Sequence, residues 1–275
     1  VGMTGDGVND SPALKRADVG FAMGSGTEAA KEAGKIIILD DNFKSIKDAI
    51  WYGRTIYHNI LKFCKFQLVI NVAAVVVSAI APFFGVEEPL KVTHLLFVNL
   101  VMDGLGAIML GNEPALARYM REKPRRRDES IISKPMMGQI LTMGLWLTVL
   151  SFLFLKLPVF DRIFPVQEEK LTAYFVLFIW SALFNGFNVR DDGFGIFRGL
   201  NQNTGFMKVF AIIAIVQAAI PFQVFTWIGD MFSCVPFPPL GWVVAIVLAF
   251  TMIPVDLIRK AVTKQESHDL IEQSK

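Results

Sequence analysis

Residues 43–84 read FKSIKDAIWYGRTIYHNILKFCKFQLVINVAAVVVSAIAPFF, and their chemical character changes half-way along. The first part, from Lys44 to Lys65, places charged side chains among apolar ones, as an amphipathic helix does. The second part, from Phe66 to Phe84, is almost wholly apolar. A helix that leaves water and enters a lipid bilayer without a break has this pattern. We therefore predict a stalk helix over residues 44–61 that continues into a membrane span.

Six apolar blocks, of which this is the first, occupy residues 62–84, 90–112, 136–156, 171–189, 207–228 and 240–258. Each is close to the roughly 20 residues that an α-helix needs to cross a bilayer. Hydrophobic residues make up 53% of the chain, above the usual ~45–50% of soluble domains. We predict a mainly α-helical membrane protein with six transmembrane helices over residues 62–260, and a short tail over 261–275.

The loops between these blocks differ in positive charge. The loop after the second block, the loop after the fourth block and the C-terminal tail are rich in Lys and Arg, whereas the opposite loops hold few. Positive loops stay in the cytoplasm, so both termini are predicted to be cytoplasmic. The basic cluster from Lys123 to Arg127 is a topological signal of this kind. Contact with anionic lipid headgroups, or docking against a part of the protein upstream of Val1, is the alternative for this cluster.

Composition also excludes some partners. A formal net charge of +2 argues against nucleic acid. The two cysteines, Cys64 and Cys234, suggest no disulfide framework. The tail after Arg259 lacks the aromatic anchors of a basic amphipathic calmodulin target, so no calmodulin site is predicted. Membrane lipid is the partner that the apolar blocks imply.

Residues 1–43, upstream of the stalk, are soluble in character. Strand candidates at 1–4, 19–23 and 35–39 alternate with helix candidates that begin near Ser11 and Thr27. Strands that alternate with short helices are typical of a parallel α/β layer. We therefore predict a small α/β piece at this end of the chain.

The sequence TGDGVNDSPAL, residues 4–14, follows the first predicted strand. Two carboxylates, Asp6 and Asp10, lie at the C-terminal end of that strand, where α/β folds place ligands. Mg²⁺ prefers a few protein oxygens together with water and phosphate. Asn9 can donate a hydrogen bond to a phosphoryl oxygen, and glycines let the backbone approach closely. An ordinary acidic turn remains the alternative at this stage.

Asp103 is the only acidic residue well inside an apolar block. An ionisable side chain within a span indicates a functional site by default. Asn99 lies four residues before it on the same predicted helix face, and Asn71 lies at similar depth in the preceding helix. Gly104 and Gly106 are expected to loosen the helix and free backbone carbonyls. These groups together predict an oxygen-rich cation site of the kind Ca²⁺ prefers, although Asn71 could instead only join two helices.

The motif of residues 4–14, continued by ADVGFAMG at 17–24, resembles the hinge signature of P-type ATPases. The resemblance implies that residues 1–43 end a phosphorylation domain with a haloacid-dehalogenase-like fold. It implies that Asp6 holds the catalytic Mg²⁺, that Asp10 supports this Mg²⁺ site and that Asn9 contacts the phosphoryl group, with Thr4 and Gly5 in the same catalytic motif.

The same resemblance implies that the full-length protein is an enzyme that binds ATP. In this family the phosphorylated aspartate and the nucleotide-binding domain lie upstream of the position that Val1 would occupy. We therefore expect the missing N-terminal part of the same chain to be needed, and the 275 residues alone to be inactive.

Two further segments, LVINVAAV at 68–75 and NLVMDG at 99–104, resemble the fifth and sixth spans of calcium pumps. The sarco/endoplasmic reticulum branch has Glu where this chain has Ala74, and Thr where it has Met102. Both positions match the plasma-membrane-type branch, which keeps a single Ca²⁺ site. The resemblance implies a Ca²⁺-transporting ATPase of the plasma membrane whose transported ion contacts Asn71, Asn99 and Asp103.

Other functions stay open from the sequence. A P-type pump for Mn²⁺, Na⁺ or H⁺ is one, because ligand sets overlap. A natural truncated membrane subunit without catalysis is another. A passive channel or secondary transporter would be favoured by an internal inverted repeat; none is visible, and the motif around Asp6 argues against that class.

Overall fold

The computed structural model describes residues 1–126 and 128–263. The chain divides into two compact units, the first formed by residues 1–57 and 115–123 and the second by 58–114 and the chain from 124 onward. Arg127 of the basic cluster lies outside the described residues. So does nearly all of the predicted tail, from residue 264 on.

The first unit contains a three-stranded parallel sheet. Its elements are β1 (Gly2–Gly5), α1 (Ser11–Arg16), β2 (Val19–Met23), α2 (Glu28–Ala33) and β3 (Ile36–Ile38), and the strand order is β1-β2-β3. Leu14, Ala30 and Ala33 are buried together where the helices pack. Pro12 lies in the first turn of α1, where its missing N–H has no partner to lose. The predicted α/β alternation is therefore confirmed.

Helix α3 runs from Phe43 to Ile80, 38 residues without interruption, as the sequence predicted. Its residues up to Tyr57 belong to the first unit and the rest to the second. Within the first unit, Trp51 Nε1 donates to the carbonyl oxygen of Leu116 at 2.9 Å, and Arg54 donates to the carbonyl of Glu122 at 2.8 Å. These bonds hold residues 115–123 against the first turns of α3.

Helices are the regular secondary structure of the second unit in its described residues. After α3 come α4 (Val92–Leu96), a π-helical segment (Phe97–Met102), α5 (Asp103–Gly111), α6 (Lys134–Lys156), α7 (Pro158–Ile163), α8 (Gln167–Asn188), α9 (Thr204–Ala219), α10 (Thr226–Phe232), α11 (Pro239–Phe250) and α12 (Met252–Val262).

Five helical segments of the described chain are long and apolar enough to cross a membrane: 43–84, 92–111, 134–156, 167–188 and 239–262. The predicted block 207–228 does not form one helix. Helix α9 has 16 residues and stops just before Pro221, whose ring and missing N–H interrupt a helix. Its length is about 24 Å at ~1.5 Å per residue, less than the ~30 Å hydrocarbon core. The mainly helical membrane architecture is confirmed, with five such segments.

Helix α8 lies at the centre of the second unit. Its surface is buried nearly all round, which marks a helix packed among others rather than one facing solvent or lipid. Tyr174, Phe175 and Phe178 on this helix are fully buried. The aromatic residues of this predicted span are therefore core residues.

Two buried carboxylates in this unit are neutralised by cations. Glu113 accepts from Arg190 Nε at 2.8 Å and Asn203 Nδ2 at 2.7 Å, and pairs with Lys62 Nζ at 3.4 Å. These contacts connect α3, the end of α5, the segment after α8 and the segment before α9. A buried charge is tolerated only when it is paired and hydrogen-bonded, so this network fixes how four segments pack.

Asp256 on α12 is the second such carboxylate. Arg259 Nε lies 2.7 Å from its Oδ1, and Lys260 Nζ lies 2.9 Å from its Oδ2. Lys260 is fully buried and also donates to the backbone carbonyls of Asn188 and Asp191, at 2.9 and 2.7 Å. The pair thus ties α12 to the C-terminal end of α8.

We predict that Glu113→Ala destabilises the membrane unit by about 3–5 kcal/mol, because it leaves Lys62 and Arg190 buried without their counter-charge. Thermal unfolding of the purified protein in detergent measures this effect. Glu168→Ala, at an exposed position at the start of α8, is the matched control and should leave the midpoint unchanged. Equal midpoints for the two variants would show that the Glu113 network does not stabilise the fold.

Candidate functional site

The turn after β1 is closed by the carboxylate of Asp10. Its Oδ2 accepts hydrogen bonds from the backbone N–H groups of Asp6 and Gly7, both at 3.0 Å. These two donors, Gly7 foremost, hold the pKa of Asp10 below its usual range. A carboxylate used in this way is ionised at neutral pH and positions the turn that carries Asp6.

Gly5 is required by the same turn. A Cβ at this position would lie 2.5 Å from the Cβ of Asp10, closer than two such atoms can come. Thr4, at the exposed end of β1, and Asn9, exposed in the short 3-10 turn Val8–Asp10, flank the motif. Thr4 and Gly5 thus end β1 and Asp6, Asn9 and Asp10 follow in the turn, so all five predicted residues lie at the C-terminal edge of the sheet.

The side chain of Asp6 is exposed. Within the described residues no hydrogen bond or ion pair engages its carboxylate, while its backbone oxygen accepts from the Thr27 N–H at 2.7 Å and from Thr27 Oγ at 3.3 Å. The sequence analysis missed Thr27. Its signal was its place after β2, at the same edge of a parallel sheet.

The side chains at this turn fit a Mg²⁺ site in which the protein supplies few of the ligands. No group of three or more His, Cys, Asp or Glu side chains that could hold a metal ion occurs in the described part of the chain. Mg²⁺ commonly uses one or two carboxylates and fills its other positions with water and phosphate oxygens. A single unengaged carboxylate at the sheet edge suits such a site, and does not suit an all-protein metal cage.

The second candidate site is Asp103, at the start of α5. Its side chain is buried, and Gln67 Nε2 on α3 donates to its Oδ2 at 2.9 Å. Its Oδ1 is buried without a hydrogen-bond partner, and no Lys, Arg or His side chain of the described residues forms an ion pair with it. Buried polar atoms are nearly always paired, and Oδ1 of Asp103 is one of the exceptions among the described residues.

Asp103 differs in this respect from Glu113 and Asp256. Both of those carboxylates are in contact with two cationic side chains. Asp103 has only a neutral amide. A negative charge in a low-dielectric interior attracts a cation strongly when no protein cation compensates it. The site is therefore suited to an incoming cation.

The segment Phe97–Met102, immediately before Asp103, is π-helical. Such wide turns are rare and frequently occur at functional sites. The prediction that Gly104 and Gly106 loosen this helix was wrong, because both lie inside the regular helix α5. Gly106 has a packing role: a Cβ there would lie 2.8 Å from Cε1 of Phe66, so the glycine lets α3 and α5 approach closely.

Neither of the two asparagines predicted to join Asp103 contacts it by a described hydrogen bond; the one that Asp103 makes is with Gln67. Asn71 is half-buried on α3, one helical turn after Gln67. Asn99 lies in the π-helical segment with its side chain exposed, unlike the buried Asp103. No interhelical hydrogen bond of Asn71 occurs in the described region.

Sequence reasoning also missed Gln67. The signal was a polar residue one turn before Asn71 in an otherwise apolar block, but its partner Asp103 is 36 residues away.

Two family models match the chain. Residues 87–262 match the family described as cation transporting ATPase, C-terminus. Residues 2–50 match the family described as haloacid dehalogenase-like hydrolase, which confirms the fold predicted for the N-terminal α/β piece.

Relatives in the curated proteins agree with these matches. Calcium-transporting ATPase 9, plasma membrane-type, from Arabidopsis thaliana is 37% identical over 270 residues, which cover 95% of this chain and 24% of the relative. Plasma membrane calcium-transporting ATPase mca-1 from Caenorhabditis elegans is 36% identical over 91% of this chain and 21% of the relative. Plasma membrane calcium-transporting ATPase 2 from Oreochromis mossambicus is 38% identical over 88% and 22%.

The chain thus spans about a quarter or less of the length of these relatives. Its apolar helices and the plasma-membrane-type relatives identify a multi-pass membrane protein. Because the match over residues 87–262 extends over more than half of the sequence, the chain belongs to the cation-transporting ATPase family.

Proposed function

We propose that this chain is the C-terminal part of an ATP-driven pump that moves Ca²⁺ out of the cytoplasm through a phosphoaspartate cycle. The observation that carries the proposal is Asp103, a carboxylate buried in an apolar helix with one oxygen unpartnered and no compensating cation among the described residues. The names of the relatives, all calcium-transporting ATPases, favour Ca²⁺ as the ion.

The proposed organisation keeps the predicted boundaries. Residues 1–43 end the phosphorylation domain, 44–61 form the stalk, 62–260 form the transmembrane domain and 261–275 form a cytoplasmic tail. Six spans require α9 to cross as the fifth, with the bilayer thinning or the segment after Ala219 completing the crossing. Both termini face the cytoplasm and the membrane is the plasma membrane. The full-length protein is the enzyme, and this portion alone is inactive.

At the phosphoryl end, Asp6 holds Mg²⁺ and Asn9 donates a hydrogen bond to the transferred phosphoryl group. Asp10 acts on the turn rather than on the ion, since its Oδ2 is engaged by two backbone N–H groups. When bound, Mg²⁺ neutralises charge on the phosphoryl group. ATP itself is bound by other parts of the full-length protein.

At the membrane end, Ca²⁺ is the substrate and Asp103 Oδ1 is its charged ligand. Asn71 and Asn99 add amide oxygens, as hard cations require. The side chain of Asn99 is exposed, so it is available to an ion whose remaining ligands come from further spans of the whole pump.

Helices α3 and α5 are joined at two levels within the second unit, which supports a cation site built from both helices. Gln67 contacts Asp103 at one level. At the other, Asn59 Nδ2 donates to the backbone carbonyls of Gly111 and Glu113, at 2.9 and 3.1 Å. Movement of α3 would therefore move the helix that carries the cation ligand.

A pump for Mn²⁺, Na⁺ or H⁺ is the second candidate, because the same oxygen ligands serve several cations. Ion-dependent ATPase activity of the full-length protein, compared across Ca²⁺, Mn²⁺ and Na⁺, separates these candidates. A truncated non-catalytic subunit is not favoured by the full-length calcium-transporting relatives.

We predict that Asp6→Asn in the full-length pump slows phosphoenzyme formation from ATP by about 100-fold or more, the size of losing one electrostatic stabiliser. The amide keeps the size of the side chain and removes the charge that holds Mg²⁺. The measurement is phosphoenzyme formation against Mg²⁺ concentration. Glu28→Gln, an exposed carboxylate on α2 paired only with Lys31, is the control. A wild-type rate and Mg²⁺ dependence in Asp6→Asn would refute the role.

We predict that Asp103→Asn abolishes Ca²⁺-dependent phosphorylation from ATP while expression stays intact. The amide removes half of the charge that balances Ca²⁺. Asn71→Ala should weaken apparent Ca²⁺ affinity less, because it removes a neutral ligand. Titration of phosphorylation against free Ca²⁺ measures both, and an unchanged affinity in Asp103→Asn would contradict the site.

We predict one Ca²⁺ per phosphorylation site, with a Hill coefficient near one. Two dications that share too few carboxylates in a low-dielectric site repel strongly. Of the buried carboxylates on the described membrane helices, Asp103 alone lacks a cationic partner, and position 74, where a two-site relative has Glu, is alanine here. Equilibrium binding of radioactive calcium, normalised to phosphorylation sites, measures this stoichiometry. Two ions bound cooperatively would overturn the single-site assignment.

A further inference from the structure

We propose that Gln67 is a positioning residue of the cation site, which holds Oδ2 of Asp103 so that Oδ1 is the oxygen presented to the transported ion. The inference rests on the proposed function, since it assumes that Asp103 binds that ion. It adds a residue on a different helix and states which carboxylate oxygen is used.

The contact between the two side chains is direct. Gln67 Nε2 donates to Asp103 Oδ2 at 2.9 Å, and Gln67 is half-buried. The fully buried ring of Phe66, the preceding residue on α3, packs where Gly106 on α5 has no side chain. This close approach of the two helices brings the amide to the carboxylate and restricts both.

The neutral charge of the donor matters as much as its position. At Glu113 and Asp256 the donors are cations, and those carboxylates are already compensated. The two nearest lysines of α3 are engaged elsewhere, Lys62 with Glu113 and Lys65 with Asp192. An amide at residue 67 satisfies one oxygen of Asp103 and leaves its negative charge available.

The oxygen that remains is the one with no partner. Oδ1 of Asp103 is buried and accepts no hydrogen bond from the described residues. Partial rotation of the carboxylate would break the bond to Gln67, and a half-turn would only exchange its two equivalent oxygens, so one oxygen is always held and the other presented. The geometry therefore points to a carboxylate that binds the ion through Oδ1 in a fixed orientation.

The test uses two variants of the full-length pump and titrates phosphorylation from ATP against buffered free Ca²⁺. Gln67→Met keeps the length of the side chain but removes the donor. We expect its apparent Ca²⁺ affinity to fall about tenfold, or about 1.4 kcal/mol, while the maximal phosphorylation level stays within about twofold, because only the binding orientation is lost. Gln67→Lys keeps a donor but adds a charge that compensates Asp103, and we expect it to bind Ca²⁺ more weakly than Gln67→Met.

The matched control is Gln217→Met on α9. Gln217 is fully buried and accepts from Trp180 Nε1 at 3.0 Å, so the same substitution also removes an interhelical hydrogen bond. We expect its Ca²⁺ affinity to match the wild type, whereas a general packing effect would lower affinity in both Met variants.

The outcomes separate this inference from the proposed function. If Asp103→Asn abolishes Ca²⁺-dependent phosphorylation and Gln67→Met has wild-type affinity, the role of Gln67 is overturned and the pump assignment stands. Wild-type affinity in Asp103→Asn would overturn both. If Gln67→Met does not fold, Gln67→Lys still tests the role of Gln67. Wild-type Ca²⁺ affinity with a lysine beside Asp103 would be incompatible with the proposal.

Discussion

A carboxylate inside a membrane protein must be neutralised, because an isolated charge in a low-dielectric interior is costly. The described helices solve this in two ways. Glu113 and Asp256 are surrounded by Lys and Arg side chains. Asp103 is held only by the amide of Gln67, with one oxygen left over. The first arrangement neutralises the charge within the chain, and the second leaves it without a cationic partner among the described residues.

Asp103 lies between contacts that hold α3 and α5 together. The Glu113 network fixes the C-terminal end of α5 against α3, and Asn59 adds two bonds at the same level. Nearer the start of α5, the absence of a side chain at Gly106 lets Phe66 of α3 pack tightly. The π-helical segment then widens the turn that ends at Asp103. Contacts between α3 and α5 thus lie on both sides of a carboxylate that has no cationic partner among the described residues.

The first unit uses its acidic residues with a similar division of tasks. Asp10 is engaged by backbone N–H groups and shapes the turn, while the Asp6 side chain stays exposed at the sheet edge. Sequence reasoning assigned both residues to one Mg²⁺ site. In the structure, Asp10 Oδ2 is engaged by two backbone N–H groups, so its visible task is to hold the turn that carries Asp6.

Most of the secondary structure was determined by the sequence alone, because it depends on local patterns. The three strands, the long helix α3 and most of the apolar blocks follow from periodicity and hydrophobicity over neighbouring residues. The break of the block 207–228 at Pro221 was also a local signal, which the apolar composition around it outweighed. The motif at residues 4–14 located the phosphate-site candidate, since its members are adjacent in the chain.

Tertiary structure alone decided which polar groups meet. The contact between Gln67 and Asp103 joins residues 36 positions apart, and the network of Glu113 collects side chains from four segments. The actual role of Gly106 likewise depends on a phenylalanine of another helix. Such pairings are set by how whole helices pack and by the cost of burying an unpaired charge. That cost is a property of the assembled interior, and no local pattern of residues records it.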